Sequence, residues 1–241
     1  VRSWTHTTRR TPPAESPPYT VSMRILAIDM GTGTQDILVF DAAQQVENSV
    51  KLVMPSATEV AARRIRRAHA AGRKLVLTGT VAGGGPCSWA LEDFLKAGGA
   101  AFATPEAAQT IDDDLDRVRE LGVTLVSEDE AASIDGDRVV LQDLDIGAIR
   151  AALSAFEVPG DFDGFALGCL DHGAAPPDVS DRVFRFEHLR RVVEGRNDLL
   201  AFATDASALP HYLTRARAMC GSAAGQGPVV FMDTGPAAAL G

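Results

Sequence analysis

Two aspartates in this 241-residue chain each follow an apolar segment and precede a turn that contains glycine. Asp29 lies in the segment LAIDMGTGTQDILVFD, and Asp233 lies in VVFMDTGPAA. Glycine allows a close approach of the backbone, and successive N–H groups in such a turn can bind an anion. A carboxylate at a strand end can hold Mg²⁺ through water beside a phosphate. The first turn, Gly31–Thr34, is therefore either a phosphate loop or a glycine-rich hairpin with a capping aspartate.

A second glycine-rich segment, GTVAGGGP, follows a predicted strand and precedes a predicted helix. Its N–H groups and the start of the helix could bind an anion, or the segment could be a structural turn. It lacks the GxGxxG spacing of a dinucleotide site and the lysine of a P-loop. The candidate ligand-binding residues of this segment are Gly83, Gly84 and Gly85.

Asp171, His172 and Gly173 follow an apolar strand in a proline-rich region. A histidine at this position could serve as a general acid or base or as a metal ligand, whereas the alternative is a turn that the aspartate caps. The carboxylates of the acidic segment IDDDLDRVRE could form a metal site. The alternative is that they lie in the first half of a helix, where negative charge is favourable beside the helix dipole and faces water. His211 and Arg215, four residues apart on a predicted helix, could bind substrate or pair with carboxylates.

The composition limits the classes of partner. The formal net charge is −9, and 46% of the residues are hydrophobic, which is typical of a globular protein. No basic block is longer than the arginines at 63–67, so we do not expect nucleic acid as the main partner. No apolar run approaches the roughly 18 residues of a membrane span, so no membrane partner is expected. The three cysteines are far apart and form no zinc or disulfide pattern, which suits a reduced cytoplasm.

Alternating strand and helix patterns surround these residues and predict an α/β fold. Three successive strands at the start predict a mixed sheet with an antiparallel hairpin edge. The predicted strands are 24–29, 35–41, 50–54, 74–78, 100–103, 123–127, 137–144, one within 162–173, and 228–232. The predicted helices are 57–71, 88–97, 105–121, 146–156, 181–195 and 210–219.

The paired Asp-x-Gly turns resemble the phosphate motifs of the actin, sugar-kinase and heat-shock-chaperone ATPase superfamily. The resemblance implies a ribonuclease-H-like fold, in which two halves offer such turns to ATP and Mg²⁺, and a small-molecule substrate. It places Gly31, Thr32, Gly33, Thr34, Thr234 and Gly235 on the phosphates. Asp29 and Asp233 would lie near Mg²⁺, although Asp233 could instead position the attacking hydroxyl or water. His172 is the third candidate catalytic residue.

Further segments, among them GGGP, DHGAAPPDVSDRVFRF and PHYLTRARAM, resemble an uncharacterised prokaryotic family labelled as pyruvate formate-lyase activating enzymes. That label implies an iron–sulfur cluster on three closely spaced cysteines, and the cysteines here are too far apart for one. Residues 1–22 are polar, proline-rich and without periodicity, so we expect a disordered extension there. The resemblance implies a first half over 23–227 and the start of a truncated second half over 228–241. A scaffold with a degenerate nucleotide site is the non-enzymatic alternative.

Overall fold

A computed structural model of the chain describes residues 23–81, 84–112, 114–176 and 178–240. The predictions for residues 1–22 and for Gly83 lie outside these ranges. The described residues form two sheets, one of six strands and one of four. They confirm the predicted α/β class and the mixed sheet with an antiparallel hairpin at its edge.

The six-stranded sheet combines an antiparallel part with a parallel part. The strand β1 pairs with β2 in antiparallel orientation and with β8 in parallel orientation, and β10 continues the parallel part beyond β8. Three parallel strands therefore end at the same edge of the sheet. In spatial order the strands are β3 (Val50–Pro55), β2 (Thr34–Asp41), β1 (Arg24–Met30), β8 (Gly164–Cys169), β10 (Val229–Asp233) and β9 (Thr204–Asp205).

The four-stranded sheet is entirely parallel and is inserted in the chain between β3 and β8. Its strands, in spatial order, are β6 (Val123–Leu125), β5 (Ala101–Ala103), β4 (Leu75–Thr80) and β7 (Asp137–Gln142). The helices before β7 are α1 (Ala57–Ala70), α2 (Gly85–Lys96), α3 (Pro105–Gln109), α4 (Leu115–Glu120) and α5 (Glu128–Ser133). Those after it are α6 (Ile146–Ser154), α7 (Asp181–Arg196), α8 (Thr214–Ser222) and α9 (Thr234–Leu240).

Each sheet has its own apolar core. Residues of α6 and α8, such as Ile149 and Met219, pack with Leu26 and Phe231 of the six-stranded sheet. The second core packs α1 and α2 against the four-stranded sheet, and Phe94 is among its fully buried side chains. Among the described residues, no helix combines the length and the apolar character that a membrane crossing requires.

The predicted helix over 105–121 is two helices. Asp112 accepts a hydrogen bond from the N–H of Asp114, and Asp114 in turn caps α4 by accepting from the N–H of Asp116. Aspartate side chains that accept from nearby backbone N–H groups compete with the backbone hydrogen bonds of a helix, so the helix breaks here. The prediction also missed α5, although Ser127 and Glu130 form a capping box at its start.

The last described strand, β10, belongs to the six-stranded sheet. β10 pairs with β8 and lies two strands from β1, in the same sheet as the first turn. It then passes directly into α9, so Thr234 and Gly235 begin a helix where a turn was expected.

Candidate functional site

The two Asp-x-Gly segments meet at the edge of the sheet where the parallel strands end. The hydroxyl of Thr234 donates a hydrogen bond of 2.5 Å to Oδ1 of Asp29, across 205 residues of sequence. Asp29 lies near the end of β1, and Thr234 follows the last residue of β10. Because β1 and β10 flank β8 in parallel register, their carboxyl ends are brought together by the sheet itself.

The first turn is fixed by the start of α1. The carbonyl oxygen of Thr32 accepts from the hydroxyls of Ser56, at 2.5 Å, and Thr58, at 2.6 Å. The carbonyl of Gly33 accepts from the N–H of Ser56 at 3.0 Å. In a trans peptide the carbonyl and the next N–H point in opposite directions, so the N–H groups of Gly33 and Thr34 point away from these anchors. Gly33 is exposed, and a Cβ atom there would meet no atom within 4 Å.

The second glycine-rich segment lies against the same turn. Gly84 is the N-cap residue of α2, and Gly85, with φ of +58°, is its first residue. A Cβ atom on Gly85 would come within 2.7 Å of the Thr32 methyl carbon. The start of α2 therefore packs directly on the Gly31–Thr34 turn, and the partial positive charge of a helix N-terminus lies beside it.

Asp233 does not share a face of the sheet with Asp29. Asp29 pairs with Gly168 and Asp233 with Cys169, and successive residues of a strand point to opposite faces. Asp29 consequently lines a groove of about 570 Å³ on one face, which Gly168 and Met232 also line. The carboxylate that was expected to share Mg²⁺ with Asp29 points to the other side.

Asp233 is instead held by Arg185 of α7. The guanidinium donates from Nε to Oδ2 at 2.8 Å and from Nη2 to Oδ1 at 2.6 Å, and each side chain is 10% exposed. Oδ1 also accepts from the N–H of Gly235 at 2.8 Å. A buried carboxylate with both oxygens paired has its charge balanced, which makes it a poor general base as it stands.

The Asp171–Gly173 segment is a turn that also caps a helix. Oδ1 of Asp171 accepts from the N–H of Gly173, and Oδ2 accepts from the N–H of Ala216 near the start of α8, both at 2.8 Å. Burial raises the pKa of Asp171, and these two hydrogen bonds oppose that rise. His172 Nδ1 lies 3.2 Å from an oxygen of Asp181 without a hydrogen bond in the described structure. Asp171 therefore takes the structural role that was the alternative prediction.

Arg215 connects the ends of two parallel strands. Its guanidinium donates to the carbonyls of Leu170, at 2.8 Å, and Met30, at 3.5 Å, and lies 3.6 Å from Oδ1 of the buried Asp143. The prediction that Arg215 could pair with a carboxylate is confirmed, whereas His211 lies before α8 and not on it. Arg215 fixes the strand ends that carry Asp29 and Asp171.

The cysteines lie in the apolar cores. Cys87 belongs to the core of the four-stranded sheet, and Cys169 and Cys220 belong to the other core. Burial raises the pKa of Cys87 and of Cys220 to about 11, and raises that of Cys169 further. Within the described ranges, no group of three histidine, cysteine, aspartate or glutamate side chains could hold a metal ion.

One family model matches the chain over residues 82–241, and its description is "putative pyruvate format-lyase activating enzyme (DUF1786)". The matched part covers more than half of the sequence. The chain belongs to this family. No curated protein and no solved structure shows a significant match to the chain.

The family segment contains several residues of the candidate site and of the groups that hold it. Gly84, Asp171, Arg185 and Asp233 lie within the DUF1786 match, whereas Asp29 and the first turn precede it. Sequence reasoning missed Arg185 as the partner of Asp233. The arginine-rich stretch 182–185 was the available signal, but the helical register that turns Arg185 inward depends on tertiary packing.

Proposed function

We propose that this DUF1786 chain is a nucleotide-binding protein of the actin-like ATPase type. In this proposal the phosphates of ATP, with Mg²⁺, bind at the carboxyl ends of β1 and β10. The observation that carries the proposal is the hydrogen bond between Thr234 and Asp29, because it brings together the two segments whose pattern suggested a phosphate site. Ligands of open α/β sheets commonly bind outside the carboxyl ends of parallel strands, where the strand order changes direction.

The first turn supplies the groups that an anion needs. The N–H groups of Gly33 and Thr34 point away from the anchors on α1, and a Cβ atom on Gly33 would meet no atom within 4 Å. The N-terminus of α2 adds partial positive charge on the side of Thr32. These features support binding of phosphate by backbone groups, which suits a chain whose net charge is −9.

Asp29 fits a role beside Mg²⁺, and Asp233 does not fit it in this arrangement. Mg²⁺ usually keeps several waters and is held by one or two carboxylates plus substrate phosphates, so a single half-exposed aspartate suffices. The ion would neutralise charge on the phosphates during transfer. Asp233 points to the opposite face and is paired with Arg185, so we assign it to positioning Thr234 and Gly235.

The Arg185–Asp233 pair also favours a second candidate, a scaffold that binds nucleotide without turning it over. In a small-molecule kinase or ATPase, a polar side chain, often a carboxylate, orients the attacking hydroxyl or water, and Asp233 is engaged by Arg185 instead. Release of phosphate from ATP by the unaltered chain that disappears in Asp29→Ala, while that variant keeps its circular dichroism spectrum, would favour the enzyme over the scaffold. Binding of ATP without any release of phosphate would favour the scaffold.

The activity in the family description does not fit the residues present. Activation of a glycyl radical enzyme requires an iron–sulfur cluster held by cysteine thiolates. Cys87 and Cys169 lie in different cores, and burial disfavours the thiolate form of both side chains. We therefore derive no radical chemistry for this chain.

Thermal unfolding in the presence of a series of ligands tests the proposed nucleotide site. We expect MgATP and MgADP to raise the Tm of the protein, and adenosine alone to raise it far less, because the backbone turn would bind phosphate. ATP with EDTA should raise the Tm less than MgATP. Equal shifts with adenosine and MgATP, or no shift with any of them, would contradict phosphate binding at this turn.

A further inference from the structure

A second cavity lies on the opposite face of the six-stranded sheet from Asp29. It has a volume of about 200 Å³ and is lined by Asp171 and by residues of α7, of the segment 202–213 and of β10. An engineered apolar cavity of about 150 Å³ is enough to bind benzene. The cavity could therefore hold an aromatic ring with one or two further heavy atoms.

Most of the cavity wall is apolar. Leu189 and Val192 lie three residues apart on α7 and so face the same side of the helix. Phe231 lines the cavity from β10, and Leu213 from the segment before α8, and both are buried. A wall of this kind favours an apolar ligand body over a cluster of water molecules.

The cavity wall also contains polar groups, most of which are hydrogen-bond acceptors. The carboxylates of Asp171 and Asp233 line the cavity, and an ionised carboxylate can only accept. His188 also lines the cavity and contacts the Tyr212 hydroxyl through Nδ1 at 2.9 Å. Burial lowers the pKa of His188, which disfavours the charged form of its ring. The hydroxyl of Thr204 lies 3.5 Å from the carbonyl of Phe202 and donates to it.

We propose that this cavity is a binding site for a small ligand with an apolar body about the size of an aromatic ring and one hydrogen-bond donor, a hydroxyl or an ammonium group. The donor would face Asp171, His188 and Asp233, and the body would lie against Val192 and Phe231. A ligand carboxylate would place its acceptor oxygens against the acceptor oxygens of Asp171 and Asp233 and could donate no hydrogen bond to them. This site is distinct from the groove at Asp29, and the proposal does not depend on nucleotide binding.

Calorimetric titration of the full chain with benzyl alcohol, benzylamine and benzoate tests the proposed ligand class. We expect the alcohol and the amine to bind at least about tenfold more tightly than benzoate, a difference of about 1.4 kcal/mol. Failure of both donor probes to bind, or benzoate binding as tightly as they do, would overturn the proposal. MgATP titrated in parallel reports on the other site, so that the two proposals can fail separately.

Two neighbouring valines of α7 provide a matched pair of variants. Val192 lines the cavity, whereas Val193 does not, and both are half-buried. We expect Val192→Phe to fill the cavity and weaken the donor probes at least about tenfold, and Val193→Phe to leave their affinity unchanged. Equal effects of the two variants would overturn the location of the site. If Val192→Phe does not fold, NMR spectra of the unaltered protein with benzyl alcohol test the location of the site. We then expect contacts between benzyl alcohol and the Val192 methyl groups, and the absence of these contacts would overturn the proposal.

Discussion

The Thr234 hydroxyl donates to Asp29 at 2.5 Å, and this bond joins the two strand ends at which the candidate site lies. Replacing Thr234 with valine keeps the shape of the side chain and removes the donor. We expect the free energy of unfolding to fall by about 1–2 kcal/mol, as for a hydrogen bond to a charged group with partial access to water. Urea denaturation measures this change. Thr34→Val, at an exposed position of the first turn, should change the free energy by less than about 0.5 kcal/mol. Equal losses in the two variants would show that the Thr234–Asp29 bond does not hold the strand ends together.

The buried Arg185–Asp233 pair should show strong coupling. Removing one partner leaves an uncompensated buried charge, so Arg185→Met and Asp233→Asn should each lower the free energy of unfolding by about 3–5 kcal/mol. The double variant should lose much less than the sum of the two, and a double-mutant cycle gives the coupling energy. Arg182→Met, an exposed arginine of the same helix, serves as the control. Additive effects of the two changes would mean that the pair does not form.

The stability of the protein should depend on the titration of Asp171. Burial raises its pKa in the folded protein above the ordinary value of 3.8, so the folded state binds more protons than the unfolded state between these two values. The free energy of unfolding, relative to that of Asp171→Asn, should therefore fall as the pH rises from 3.8 through the higher folded pKa, and then become constant. Urea denaturation of both proteins across the acidic range measures this difference, because the other carboxylates titrate in both and cancel. A difference that grows with rising pH would mean that the folded pKa is lowered and not raised.

The three cysteines should be unreactive in the folded protein. Burial raises their pKa, to about 11 for Cys87 and for Cys220, so little thiolate is present at neutral pH. We expect a thiol reagent such as DTNB to react slowly with the native chain and fully with all three cysteines in guanidinium chloride. Anaerobic treatment with iron and sulfide should give no stable visible absorbance from a cluster. A cluster that forms and is lost on Cys169→Ala would contradict the conclusion drawn from the buried thiols.

Local sequence patterns predicted most of the elements, because strands and helices of this fold have clear apolar periodicity. The nine predicted strands correspond to β1–β8 and β10, whereas the two-residue strand β9 has no pattern of its own. The start of α8 was placed too early, because its cap is Asp171, 45 residues away in sequence. Such long-range contacts leave no local signal.

Long-range contacts also limited what the sequence could predict about the candidate site. The Asp29 and Asp233 segments were recognised from residue types, and their common sheet edge follows from parallel strands ending together. Register then decides which face each carboxylate takes, and one residue of difference sends Asp29 and Asp233 to opposite sides. Register between distant strands could not be inferred from the sequence, nor could the pairing of Asp233 with Arg185, 48 residues apart.

Titration calorimetry of MgATP against the full chain, Asp29→Ala and a surface control, Asp129→Ala, tests the central proposal most directly. Asp29 is the carboxylate that fits Mg²⁺ beside the Gly31–Thr34 turn, whereas Asp129 is exposed on α5. We expect the unaltered chain and Asp129→Ala to bind MgATP equally, and Asp29→Ala to bind at least about tenfold more weakly while keeping its circular dichroism spectrum. Equal affinity of Asp29→Ala and the unaltered chain, or no binding of MgATP by the unaltered chain, would contradict the nucleotide site.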